Sequence, residues 1–250
     1  MTAIAPSVVT EITKQRRGSL WFPVASFLFG GIMVASGLYS YHKYTDVWQQ
    51  QSMTWSAVWA NAAMLYGGLL LPILLGIYAA WSMRMEHSTG SIARLRALGL
   101  GSSLILGKVA GALAANLISC LLLGATVTAV GLVTGFNIDA EYLRVLAYLG
   151  LGLLGGWSAS CIFLVLACVI RSFAVVCGVS VLCAISGFGI MFVAPGKQWL
   201  WPFSQISLGM HGRDPISLEL MPTIGFMVVN AVIIVVAATL ATRVLGKREG

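Results

Sequence analysis

Apolar residues fall along this chain in long charge-free blocks joined by short polar connections, and six of the blocks are long enough to cross a bilayer. A helix rising 1.5 Å per residue needs about 20 apolar residues to span about 30 Å of hydrocarbon. The blocks run Leu20 to Tyr41, Ala62 to Met83, Leu104 to Thr134, Val145 to Ile170, Ser172 to Pro195 and Leu220 to Thr242. Only Arg171 separates the fourth from the fifth. One straight helix through both would be roughly 75 Å long, and an arginine at mid-membrane costs about 2.5–3.5 kcal/mol. The chain therefore turns at Arg171. The pattern predicts an all-α, polytopic membrane protein: a polar tail over residues 1–19, then one six-helix domain over residues 20–250.

Composition agrees. Of the 250 residues, 58% are hydrophobic and 9% charged, against about 25% charged in an ordinary soluble domain; the mean hydropathy is +0.90. The net charge of +7 does not indicate nucleic acid, because the Lys and Arg residues sit between apolar spans. With the N-terminus inside, eleven of them (Lys14, Arg16, Arg17, Arg84, Arg94, Arg96, Lys108, Arg171, Arg243, Lys247, Arg248) fall in cytoplasmic segments. Four (Lys43, Arg144, Lys197, Arg213) fall outside. The positive-inside rule then predicts a multi-pass membrane protein with both termini cytoplasmic.

The basic segment Ser7 to Ser19 carries Val8, Val9 and Ile12 at helical spacing. It reads either as a short helix in the inner interface or as a merely positive tail. No cleavage-site pattern follows the first apolar block, which is read as a retained span. Aromatics crowd two outer loops, with Trp48, Trp55 and Trp59 in the first and Trp199, Trp201 and Phe203 in the last. They read as interfacial anchors or as a substrate-facing vestibule formed by Trp48, Trp55, Trp199, Trp201 and Phe203. Gly107/Gly111 and Gly152/Gly156 are GxxxG pairs, suited to close packing within the chain or against a second copy. Asn61, Asn116 and Asn230 read as interhelical hydrogen-bonding groups.

Chemistry is scarce. The five cysteines lie in apolar runs without a CxxC, so neither a disulfide framework nor a metal site is expected. No carboxylate occupies a span centre; Lys108, near one end of the third span, is close enough to snorkel to the interface. Gly156-Trp-Ser158-Ala159 lacks a histidine within any span to serve as a base, and Gly101 to Val109 has the wrong spacing and no hydroxyl for a P-loop. A bundle with no catalytic, coupling or nucleotide groups is predicted not to be an enzyme; it is passive or takes energy from another protein.

The most informative polar stretch lies between the second and third spans. It holds Glu86-His87-Ser-Thr-Gly90, a short amphipathic helix candidate, and Gly107-Lys108 opening the third span. With a basic segment before the first span and Trp199-Leu-Trp-Pro-Phe203 before the sixth, this order resembles the permease subunits of type 2 ABC exporters. It is most similar to those of lantibiotic self-immunity. The chain departs from many such permeases in having Leu98-Gly-Leu-Gly101 where they carry a proline.

The resemblance implies an N-terminal elbow helix and a cytoplasmic coupling helix docking on a separate ABC ATPase dimer through Glu86, His87, Gly90, Ile92, Arg94, Leu95 and Arg96. Ile92 and Leu95 would be its apolar anchor, and Ser88 or Thr89 would cap it. Arg171 and Ser172 would form a second contact. ATP and Mg would be held by the partner ATPase, with no cofactor on this chain. A second permease chain, identical or similar, would complete a pathway in membrane lipid that expels a lantibiotic or similar amphipathic peptide. A drug, haem or lipid-linked glycan is the alternative cargo, and a non-transporting sensor or assembly subunit the alternative role.

Overall fold

The computed structural model describes residues 19–98, 101–215 and 218–246; the predicted elbow helix within Ser7 to Ser19 lies outside them except for its last residue. Nine α-helices appear among the described residues, which contain no strand: α1 Trp21–Lys43, α2 Thr45–Gln50, α3 Trp55–Ser88, α4 Ser91–Ala97, α5 Gly101–Val133, α6 Ala140–Val169, α7 Phe173–Val193, α8 Gln205–Gly209 and α9 Leu220–Gly246. Six of them (α1, α3, α5, α6, α7, α9) are long and apolar enough to cross a membrane. They correspond one to one with the six blocks, and the turn at Arg171 is present between α6 and α7.

Burial sorts these helices into a centre and a periphery. In the most apolar stretches of α3 and α6, 67% and 61% of residues are buried, against 22% in α9. An all-round apolar helix leaves its outer faces for lipid or another chain, so α3 and α6 form the core around which the others pack.

Helix α3 departs most from expectation. It begins at Trp55 rather than near Ala62 and runs 34 residues, about 50 Å at 1.5 Å per residue. Its extra turns are held from outside. The Glu141 carboxylate accepts backbone N–H bonds from Thr54 (3.2 Å), Trp55 (3.2 Å) and Ser56 (2.9 Å), and the Thr54 hydroxyl at 2.6 Å. A carboxylate there satisfies the orphan donors of a helix start and complements its dipole. Glu141 is itself positioned by Asp139, which caps α6 by accepting from the N–H groups of Glu141 and Tyr142.

Trp55 and Trp59 are consequently fully buried rather than exposed in an outer loop. Trp55 fills a notch over Gly131 and donates to the Asn137 carbonyl at 2.7 Å; Trp59 donates to the Met210 carbonyl at 2.8 Å.

Midway along α3 the ladder widens into a π turn over Tyr66–Leu70. Pro72 follows it and explains it. Proline lacks an N–H and its ring crowds the carbonyl four residues back, and one wide turn relieves both problems.

After α7 two 3₁₀ turns, Pro195–Leu200 and Pro202–Ser204, lead into α8. The first turn is largely exposed, but from Phe203 on the segment is buried, and it forms a wedge that reaches Gly155 midway along α6. Glycines make the room. A methyl on Gly155, midway along α6, would lie 2.4 Å from the Gln205 carbonyl oxygen, and one on Gly187 would lie 2.7 Å from that of Phe203. Gly67 and Gly152 face the Met210 side chain in the same way.

A polar network fixes the wedge. Asn230 Nδ2 donates to Gln205 Oε1 at 3.0 Å, the Ser158 hydroxyl donates to Asn230 Oδ1, and Gln205 Nε2 donates to the Trp199 carbonyl at 3.0 Å. Asn116 donates to the Leu153 carbonyl from a notch over Gly156. Asn116 and Asn230 therefore tie helices together as expected, whereas Asn61 donates to the Ala57 carbonyl on its own helix. Gly152 and Gly156 are occupied by side chains of this same chain.

Candidate functional site

The residues singled out between the second and third spans form a corner at one end of the bundle. Helix α3 ends at Ser88, and Gly90 adopts a left-handed φ of 64°, the conformation that favours glycine. The chain then reverses into α4 and continues to α5. The Ser88 and Thr89 hydroxyls do not cap α4; both donate back to the Met85 carbonyl, at 3.1 and 2.9 Å.

Inside the corner Glu86 and Lys108 form a buried ion pair, with Oε1 and Nζ 3.0 Å apart. Lys108 also donates to the Ser82 carbonyl at 3.1 Å, and the Ser91 hydroxyl donates to Glu86 Oε2. Snorkelling is thus not what Lys108 does. Its partner lies at the same depth on the neighbouring helix, and a paired, hydrogen-bonded charge can remain buried. Glu86, expected on a docking surface, faces the interior for the same reason.

The apolar side of α4 is also turned inward. Ile92 is buried in the hydrophobic core and Leu95 is half-buried against it. Both were expected as free anchors for a partner; the bundle's own core claims them instead. The outward side carries Arg94, whose guanidinium donates to the Thr89 carbonyl at 3.2 Å, together with exposed Ser88, Thr89, Gly90, Ala97 and Leu98. Arg96 lies on α4, its side chain outside the described residues.

The second predicted contact belongs to the same end. His87 Nε2 lies 3.2 Å from the Ala167 carbonyl near the end of α6, and the Arg84 guanidinium lies 5.3 Å above the Phe173 ring at the start of α7. Arg171 and Ser172 are exposed between those two points, and the Ser172 hydroxyl accepts from Val175 N–H to cap α7. The two predicted contact regions are therefore neighbours on one face.

At the opposite end the five candidate aromatics separate. Trp55 and Phe203 are core residues, Phe203 stacking on Phe163 at 5.1 Å between centroids. Trp48 is half-buried; only Trp199 and Trp201 are exposed. A vestibule of all five is not formed.

Sequence reading missed the Glu86–Lys108 pair, the Glu141 cap and the wedge. The pair alone left a trace, since Glu86 stands three residues beyond the predicted end of one span and Lys108 a few residues inside the next.

Comparison with known proteins adds one match. The family described as "ABC-2 family transporter protein" matches residues 7–187, well over half of the chain. No curated protein matches it.

Proposed function

The chain belongs to the ABC-2 family of transporter proteins, and from that premise we propose that this transmembrane permease is driven by an ATPase docking on the exposed face of the α4 corner. Membership implies an ABC ATPase partner in general. The observation that carries the reading is the build of the corner itself. A surface that transmits force must be rigidly tied to what it moves. Here α4 is anchored by Ile92 in the core, by Ser91 on Glu86, and by the Glu86–Lys108 pair beneath it.

Arg94, Arg84 and Arg171 then present cations on one face, suited to carboxylates on a partner. Arg171 and Ser172 form the second contact, and the anchor expected of Ile92 and Leu95 passes to the exposed side of α4. This end is cytoplasmic, as are both termini, in a bacterial cell membrane. A second copy or a similar permease completes the pathway. Two ATPase subunits supply ATP and Mg chemistry, and the cargo is a lantibiotic or similar amphipathic peptide expelled from the membrane.

Co-purification tests the docking surface. The chain, expressed with candidate ABC ATPases, should retain one of them, and Arg94→Glu combined with Arg171→Glu should release it while the permease stays monodisperse. Undiminished retention by that double variant would refute the assignment. For cargo, cells with and without the transporter are compared across lantibiotics and unrelated drugs; protection confined to non-peptide compounds would remove the peptide reading.

A further inference from the structure

A cavity of about 650 Å³, open on one side, lies between α6, the wedge and the first half of α9. That size is within the range that holds a drug-sized ligand or part of a larger one. Leu151, Leu208, Phe226 and Val229 give it apolar walls, and its polar groups are Gln205, His211, Thr223, Asp214 and Glu219. Among the described residues no lysine or arginine lines it, although the chain carries a net charge of +7.

Two of its polar groups are held in place. Gln205 is fixed by Asn230 at 3.0 Å. The His211 ring stacks on Tyr148 at 4.5 Å between centroids, and its Nδ1 donates to the Gly209 carbonyl at 3.1 Å. Trp199, on the lining and 57% exposed, offers an aromatic face. Carboxylates, an aromatic face and apolar walls together suit an ammonium group on an apolar body, and they disfavour an anion.

We propose that this cavity binds the amine-bearing part of a cationic amphiphile, its ammonium toward Glu219 and its apolar body along Phe226 and Val229. The proposal rests on the export reading and narrows its cargo to cationic amphiphiles. It also gives the last outer loop a use that the dispersed aromatic vestibule does not. An occupant enters from the membrane's outer half, beside the exposed face of α9.

The test uses the full-length permease alone in phosphatidylcholine nanodiscs. The probes are a dodecylamine bearing a photoreactive diazirine in its chain and the matching neutral dodecanol, with labelled residues mapped by mass spectrometry. The amine should label α8 and the start of α9 saturably, and the alcohol should not. Glu219→Gln should lower apparent affinity for the amine by up to about fivefold, since Glu219 is exposed and an exposed ion pair is worth up to about 1 kcal/mol.

Gly225→Phe is the second variant. A Cβ on Gly225 meets nothing within 4 Å, so a side chain there starts in open space on the cavity lining, and its bulk should abolish labelling; circular dichroism and size exclusion check that the variant folds. Equal labelling by the alcohol, or labelling indifferent to both variants, overturns the proposal. Displacement of the amine by phosphatidylethanolamine at membrane-like mole fractions also overturns it, making the cavity a lipid headgroup site. A permease that labels as expected yet binds no ATPase keeps the site and loses the exporter reading; the reverse result loses only the site.

Discussion

Glu86 at the end of α3 and Lys108 near the start of α5 meet at 3.0 Å in a corner that water does not reach. The pair ties two membrane-spanning helices together directly beneath α4. Removing one partner strands a charge, which costs about 3–5 kcal/mol at a buried site, whereas replacing both can be nearly neutral. Glu86→Gln and Lys108→Met should each lower the unfolding temperature markedly, and the double variant should lose less than the two losses added. Purely additive losses in a double-mutant cycle would show that the two groups do not interact.

Ile92 and Arg94 sit two residues apart on α4 and should behave oppositely. Ile92→Asp places a carboxylate in the core and should give a poorly folded, aggregating permease. Arg94→Glu lies on the exposed side and should leave folding intact while weakening ATPase association. Size-exclusion profiles read the first effect and co-purification yields the second.

The Glu141 cap predicts a local effect at the far end of α3. Glu141→Gln keeps the shape but loses the charge that receives three backbone N–H groups. Hydrogen bonds to charged groups are worth about 1.5–3 kcal/mol. Amide hydrogen exchange should accelerate over residues 54–58 while the α4 corner keeps its protection.

Two glycines make a matched comparison. Gly155→Ala would press a methyl against the Gln205 carbonyl, whereas the same change at Gly178, in α7, meets nothing within 4 Å. Overpacking costs about 1–3 kcal/mol, and replacing an unconstrained helical glycine gains up to about 1 kcal/mol. Thermal unfolding should therefore fall for Gly155→Ala and hold or rise for Gly178→Ala. The first variant should also expose the wedge between residues 195 and 212 to protease.

The six spans were legible because hydropathy reports length and apolarity directly, and Arg171 forced the turn between α6 and α7. The true start of α3 was not legible. Residues 55–61 read as a loop rich in tryptophan, and the carboxylate that makes them helical lies over eighty positions away. The wedge was hidden because Ser204, Gln205, Ser207 and Gly209 look like surface loop; the room for it is written as glycines on three other helices. At the corner, the amphipathic spacing of Ile92 and Leu95 was correct, but an apolar stripe carries the same signature whether it packs on its own bundle or on a partner. Lys108 was misread because a lone cation near a span end looks free until the neighbouring helix is placed beside it.

The way α3 is held has a mechanical side. Glu141 fastens one tip, Glu86 and Lys108 fasten the other, and the wide turn before Pro72 interrupts the rod between them. π turns and prolines are where long helices kink. If an ATPase does pull on the α4 end, as proposed above, the compliant point of the rod is beside Met210 and Phe188, which pack against Gly67 and Gly68.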